Sequence, residues 1–259
     1  MNLFYAEPPA LTLYHGDARR LDALADGSVQ MIICSPPYFN ARPEYSTWPT
    51  YKDYLNDMAL AWAECWRVLC DGGRIAVNVP MGYGRSNGYI RIGDDTARAL
   101  EFVGFTLRGH IIWDKSPAGL GTAWGTVYSA NNPALRDVHE IIIVAHKGRA
   151  GRGWPPEADT AESARVYDDI TPAEFLEATA SIWQIPPVRS WHPAPMPPKI
   201  PYLLTRLYTY RGDTVLDPFC GSATVPYVAQ SLGRNGIGVD LNADYLERAA
   251  GPLFARVEA

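Results

Sequence analysis

The chain has 259 residues, 47% of them hydrophobic and 20% charged, a balance that buries a full core and excludes an unstructured polymer. No uncharged apolar run reaches membrane-spanning length, and the start MNLFYAEPPALTLYHGD lacks the order of a secretion signal, so a cytoplasmic location away from membranes is expected. The formal net charge of −5 counts against a chain coated with cations, but Arg85, Arg91, Arg98, Arg108, Lys115, Arg136, Lys147, Arg149 and Arg152 outnumber the acids among them, and local potential governs encounter with a polyanion.

In chain order, LYHGDARRLDAL leads into the apolar run VQMIICS, read as a buried strand, which ends in Ser35-Pro36-Pro37-Tyr38. The next segment places Tyr51, Tyr54, Leu55, Met58, Trp62, Trp66 and Leu69 on one face, which predicts a helix ended by Gly72-Gly73. RIAVNVP closes this βαβ unit, and RGHIIWDK and HEIIIVAHK supply two further strands. SPAGLGTAWGTVYSANNPALRD and GRAGRGWPPEADTAESARVYDD are rich in Gly, Pro, Ser or Asn and read as long functional or mobile loops. Prolines then hold an extended path until a short helix from Pro198 to Tyr208. DTVLDPF and NGIGVDL are strands of a second βαβ unit, joined through ATVPYVAQSLG with Pro226 near the helix start, and NADYLERAAGPLFARVE is a terminal helix. Cys34, Cys65, Cys70 and Cys220 form no CxxC pair and no zinc spacing, so no metal is expected and they read as small packing residues.

Two motifs carry chemistry. Ser35-Pro36-Pro37-Tyr38 follows a strand end, where open α/β sheets hold their active sites, and consecutive prolines fix a rigid turn with exposed carbonyls. An exocyclic amino nitrogen is a poor nucleophile because its lone pair is delocalised into the ring. Hydrogen bonds from its hydrogens to the Ser35 hydroxyl and the Pro36 carbonyl would favour a tetrahedral nitrogen, and Tyr38 offers a flat face for an extruded base. The second motif, Asp217-Pro218-Phe219-Cys220-Gly221-Ser222, opens a helix whose N-terminus favours a carboxylate, with Gly221 admitting a ligand closely. Asp240 ends the next strand at the position suited to ribose hydroxyls, and no GxGxxG is present, which points to an adenosyl cofactor without a pyrophosphate.

SPPY near the start and DPFCGSATV near the end resemble, in that order, the beta-type amino methyltransferases of DNA, and the resemblance covers nearly the whole chain. It implies a Rossmann-like α/β fold dependent on S-adenosylmethionine, with a mainly parallel seven-stranded sheet, flanking helices and circularly permuted order. It implies one catalytic domain over 1–259, with a target-recognition region within 116–190. Asp17 with Ala18, the run His192, Pro193, Ala194 and Met196, the motif from Asp217 to Ser222, and Asp240 with Leu241 would bind the cofactor. Lys115, Trp124, Asn131, Asn132 and Arg136 are of types that stack on bases, read their edges or touch phosphate, and with Tyr38 they are the expected substrate contacts. Serine at the first position of the tetrapeptide resembles the cytosine N4 branch, with adenine N6 the alternative. Carbon-5 methylation would need a cysteine preceded by proline, and the chain has none. RNA or protein amino methyltransferases fit less well, because those modifying glutamine carry NPPY and place the cofactor motif first. Double-stranded DNA is the expected partner, and a cognate restriction endonuclease and a homodimeric state are compatible with the resemblance.

Overall fold

A computed structural model describes residues 9–43, 46–85, 88–119, 126, 128–133, 135–153, 155, 158, 160 and 167–257. The strands are β1 (Leu11–His15), β2 (Val29–Cys34), β3 (Leu69–Val79), a small hairpin of β4 (Tyr83–Arg85) and β5 (Gly88–Ile90), β6 (Thr106–Asp114), β7 (His139–His146), β8 (Ile182–Gln184), β9 (Thr214–Asp217) and β10 (Asn235–Asp240). The helices are α1 (Tyr51–Val68), α2 (Ile92–Val103), α3 (Pro172–Ala178), α4 (Lys199–Tyr208), α5 (Thr224–Ser231) and α6 (Ala243–Val257).

One eight-stranded sheet has the order β1-β10-β9-β2-β3-β7-β6-β8, in which β7 alone runs against the rest. This is one strand more than the seven expected, because Ile182–Gln184 pairs in parallel with the end of β6. Such a short strand carries too little pattern to stand out among prolines.

Alternation along the central strands splits the core in two, since successive side chains leave opposite faces of a sheet. Ile32, Cys34, Ile75, Val77, Ile141 and Ile143 pack with Tyr54, Met58, Trp62 and Cys65 of α1 and with Leu100 of α2. Met31, Ile33, Ala76, Ile142 and Val144 pack with Ile200, Leu203 and Leu204 of α4 and with Val225 and Ala229 of α5. α1 starts in a capping box, Thr50 accepting from the Asp53 amide while the Asp53 carboxylate accepts from the Thr50 amide.

Gly72 and Gly73 lie inside β3 rather than ending the helix, which stops at Val68. Gly72 has φ +74, and a side chain there would meet Gly151 O at 2.7 Å. At this irregularity the pairing with β2 jumps from Val29↔Leu69 to Met31↔Arg74, which only a residue free to enter the left-handed region allows without strain.

Away from the strand ends, the Asp169 carboxylate joins three guanidinium groups. It accepts from Arg234 at 2.7 and 2.8 Å and pairs with Arg206 at 2.6 Å and Arg211 at 3.3 Å. Arg234 is fully buried, and Thr209 and the Leu232 carbonyl accept its remaining donors. Burial alone would raise the Asp169 carboxyl, but the Arg234 hydrogen bonds and the surrounding guanidinium charges outweigh it and hold it below the usual carboxylate range. Among the described residues, no helix is long and apolar enough to cross a membrane.

Candidate active site

β2 and β9 are neighbours, yet the chain leaves β2 toward β3 on one side and β9 toward β10 on the other. A crevice opens at the strand ends where a parallel sheet divides in this way. Here it is a cleft of about 1090 Å³. The ends of β1, β2, β3, β6, β9 and β10 deliver His15, Ser35, Asn78, Lys115, Asp217 and Asp240 to it, and antiparallel β7 presents Glu140 from its beginning.

One half of the cleft surrounds the diproline turn. Ser35 Oγ lies 2.9 Å from the Tyr38 hydroxyl, which donates to Glu140 Oε2 at 3.1 Å. Asn78 Nδ2 donates to the same carboxylate oxygen at 2.5 Å and to the Tyr38 hydroxyl at 3.2 Å. Lys115 Nζ pairs with the other oxygen of Glu140 and sits 4.6 Å from the centre of the Trp113 ring. Asn78 is 3% exposed, and its buried Oδ1 has no hydrogen-bond partner among the described residues. Burial, and after it the negative charge of Glu140, push the Tyr38 phenol well above its ordinary value, so it stays protonated and able to donate.

The other half is acidic. Asp240 accepts from the Gly221 amide at 2.7 Å and from the Asn242 amide at 2.9 Å. The Gly221 N–H is therefore turned to Asp240. What approaches Gly221, at φ +49, is His192, whose Nε2 would lie 2.7 Å from a Cβ built there. Burial lowers the His192 imidazole and favours its neutral form, in which Nδ1 accepts from the Ala194 amide at 3.2 Å. Asp217 accepts from the Phe219 amide at 3.0 Å, yet burial, reinforced by Asp240, pushes its carboxyl up to about 8. Asp17 is gripped by Arg19, at 2.7 Å for the closest contact, and Arg19 also pairs with Asp57 at 2.9 Å. That guanidinium holds the Asp17 carboxyl below its usual range.

The cleft thus gathers Ser35, Pro36, Pro37, Tyr38, Asp17, Ala18, Lys115, His192, Pro193, Ala194, Met196, Asp217, Pro218, Phe219, Cys220, Gly221, Ser222, Asp240 and Leu241, from both ends of the sequence. It does not include Asn131, Asn132 or Arg136, which are exposed between β6 and β7, and Trp124 lies outside the described residues. Lys115, expected to meet phosphate, lines the cleft and pairs there with Glu140. Burial raises the thiols of Cys34 and Cys220 and keeps them protonated, which suits packing and not nucleophilic attack. Sequence reasoning passed over Asn78 and Glu140. Their signal was a lone amide inside RIAVNVP and a lone carboxylate before IIIVA.

A family model described as DNA methylase matches residues 29–251. The chain belongs to the DNA methylase family. Among similar proteins, the type II methyltransferase M.MjaI of Methanocaldococcus jannaschii is 27% identical over 88% of this chain and 86% of its own length. The DNA adenine methyltransferase YhdJ of Escherichia coli is also 27% identical, over 92% of this chain and 81% of its own length. TTHA0409 of Thermus thermophilus, crystallised with S-adenosyl-L-methionine, superposes with a TM-score of 0.71 at 27% identity, covering 93% of each chain. This DNA methylase is an amino methyltransferase acting on DNA, and S-adenosylmethionine is its cofactor. Its cleft fits that molecule: Asp240 lines it beside Asp217, whose carboxyl burial raises, and the positive charge of a sulfonium and an ammonium there would draw Asp217 back toward its ionised form.

Proposed function

We propose that this methyltransferase modifies the exocyclic N4 amino group of cytosine in double-stranded DNA, at sites chosen by a target-recognition region within 116–190 of a single catalytic domain. The observation that carries the reading is the Ser35 hydroxyl, where the adenine branch usually carries an acid or its amide. This hydroxyl stands in the same cleft as the acidic cofactor half. The target base is rotated out of the duplex and rests against Tyr38, and its amino hydrogens are accepted by Ser35 and the Pro36 carbonyl. Those bonds localise the nitrogen lone pair and hold it in line for attack. S-adenosylmethionine supplies the methyl group as a sulfonium electrophile.

Asp240, with Leu241 beside it, binds the adenosyl ribose, and the run from Asp217 to Ser222 shapes the floor below it. Asp17 and Ala18 line the site from the β1 end, and His192, Pro193, Ala194 and Met196 close it over the methionine portion. Asn131, Asn132 and Arg136, lying outside the cleft lining, meet the flanking duplex together with Trp124, and Lys115 meets the target nucleotide at the cleft rim. The type II designation of M.MjaI supports a cytoplasmic role beside a restriction endonuclease, as a monomer or a homodimer. YhdJ, named for adenine, favours N6 as the second reading. Digestion of methylated DNA to nucleosides followed by mass spectrometry decides between them. N4-methylcytosine is expected, and N6-methyladenine alone would overturn the assignment of the base.

A further inference from the structure

The transferring nitrogen must lose a proton, and the cleft holds a route for it. Ser35 Oγ, the Tyr38 hydroxyl and Glu140 Oε2 lie in a row with separations of 2.9 and 3.1 Å. The direction of the row is fixed from its far end. Glu140 Oε2 can only accept, so Tyr38 donates to it, and the phenol oxygen is left to accept from Ser35. Ser35 Oγ, which Asn78 Nδ2 approaches only at 3.5 Å, then keeps a lone pair for a donor arriving in the cleft, while its alternative acceptor, the Asn78 carbonyl, lies farther off than Tyr38 at 3.3 Å. Asn78 Nδ2 and Lys115 Nζ grip the two oxygens of Glu140, one each, which holds the carboxylate facing Tyr38. The carboxylate is 14% exposed, so the row ends in a shielded acceptor rather than in bulk water.

We propose that Glu140 is the terminal acceptor of the amino proton, reached through Ser35 and Tyr38. This rests on the reading of Ser35 as the amino-group contact. As the nitrogen–carbon bond forms and the sulfur–carbon bond breaks, the nitrogen becomes cationic. It passes one proton to Ser35 Oγ, Ser35 passes its own to the Tyr38 oxygen, and Tyr38 passes its own to Glu140 Oε2. The positive charge that began on sulfur and the negative charge of the carboxylate are both neutralised, and both hydroxyls end as they began. Glu140 later returns the proton to solvent once the methylated base has left the cleft. The titratable groups packed against Glu140 are Tyr38, from the turn after β2, and Lys115, from the end of β6; Asn78 of β3 is neutral.

The test is single-turnover methylation by the full chain with a target duplex and S-adenosylmethionine, across pH and in light and heavy water. Glu140→Gln keeps the shape and the oxygen that accepts from Tyr38 but takes up no proton. It is expected to slow the methylation step about 10²-fold, with cofactor and DNA dissociation constants within about twofold, and to erase the acidic limb of the pH profile. Tyr38→Phe, which interrupts the row, should slow the step similarly, the two changes together should cost little more than either, and Glu140→Asp should recover part of the rate. A Glu140→Gln rate within about twofold of the parent, with the acidic limb intact, overturns the relay. Ser35→Ala separates the two claims: slow Ser35→Ala beside normal Glu140→Gln removes only the relay, whereas a normal Ser35→Ala removes the reading of Ser35 itself.

Discussion

Gly221 and His192 occupy one another's space: a β-carbon on the glycine would stand 2.7 Å from the imidazole Nε2. The glycine also sits at φ +49, where a side chain strains the backbone. Gly221→Ala therefore displaces the His192 ring and disturbs the amide that holds Asp240. A loss of about 1–3 kcal/mol in cofactor binding is expected, read by calorimetric titration with S-adenosylmethionine. An unchanged dissociation constant would show that the ring and the Asp240 contact do not shape the cofactor site.

The two halves of the cleft should separate in kinetics. On the proposed roles, Ser35→Ala removes an acceptor for the amino group and should lower the single-turnover rate while leaving cofactor affinity intact. Asp240→Ala removes a charge and two amide contacts and should mainly raise the cofactor dissociation constant, about tenfold or more. Equal small effects of both changes on both quantities would contradict the division of roles.

Asp217 gives the cofactor-free protein a pH signature. Its carboxyl is raised to about 8 by burial, so between its unfolded value of 3.8 and about 8 the native state binds more protons than the unfolded state. Stability then falls as pH rises through that window and levels off above it. Asp217→Asn can still accept from the Phe219 amide but carries no charge, so its unfolding midpoint in urea should be flatter from pH 5 to 8. Parallel pH curves for parent and variant would mean that Asp217 is ionised at little cost.

Asp169 is expected to matter to the fold and not to the chemistry. Asp169→Ala leaves Arg234 and Arg206 buried without their shared partner, a loss of about 3–5 kcal/mol in denaturant unfolding. At temperatures where the variant remains folded, cofactor affinity should match the parent. A loss below about 1 kcal/mol would show that water reaches these guanidinium groups once the carboxylate is gone.

Much of this was legible in the residues. The central strands are continuous apolar runs because both faces are covered, and both motifs sit directly after such runs, so their positions at strand ends follow from pattern alone. Other features were hidden by physics that spacing does not encode. β3 begins at Leu69 because the left-handed Gly72 lets the chain shift register within the strand, whereas a glycine pair after a helical stripe reads as a stop. Glu140 lies 102 residues from Tyr38 and reaches it only because β7 runs against its neighbours. Ile182–Gln184 is too short for its alternation to register, and Arg19 gripping Asp17 could not be read from a local string of charges.

The adjacency of β2 and β9 also sets a schedule. The Thr214 amide donates to the Gln30 side chain at 2.8 Å across 184 residues of sequence, so the sheet closes between an early strand and a late one. During synthesis the diproline turn leaves the ribosome long before its cofactor half exists. The cleft beside Ser35 is therefore incomplete in a nascent chain until β9 and β10 have emerged and docked. A chain cut short before Thr214 keeps the diproline turn but lacks β9 and β10, and with them Asp217 and Asp240, so on the proposed roles it has a place for the base and none for the donor.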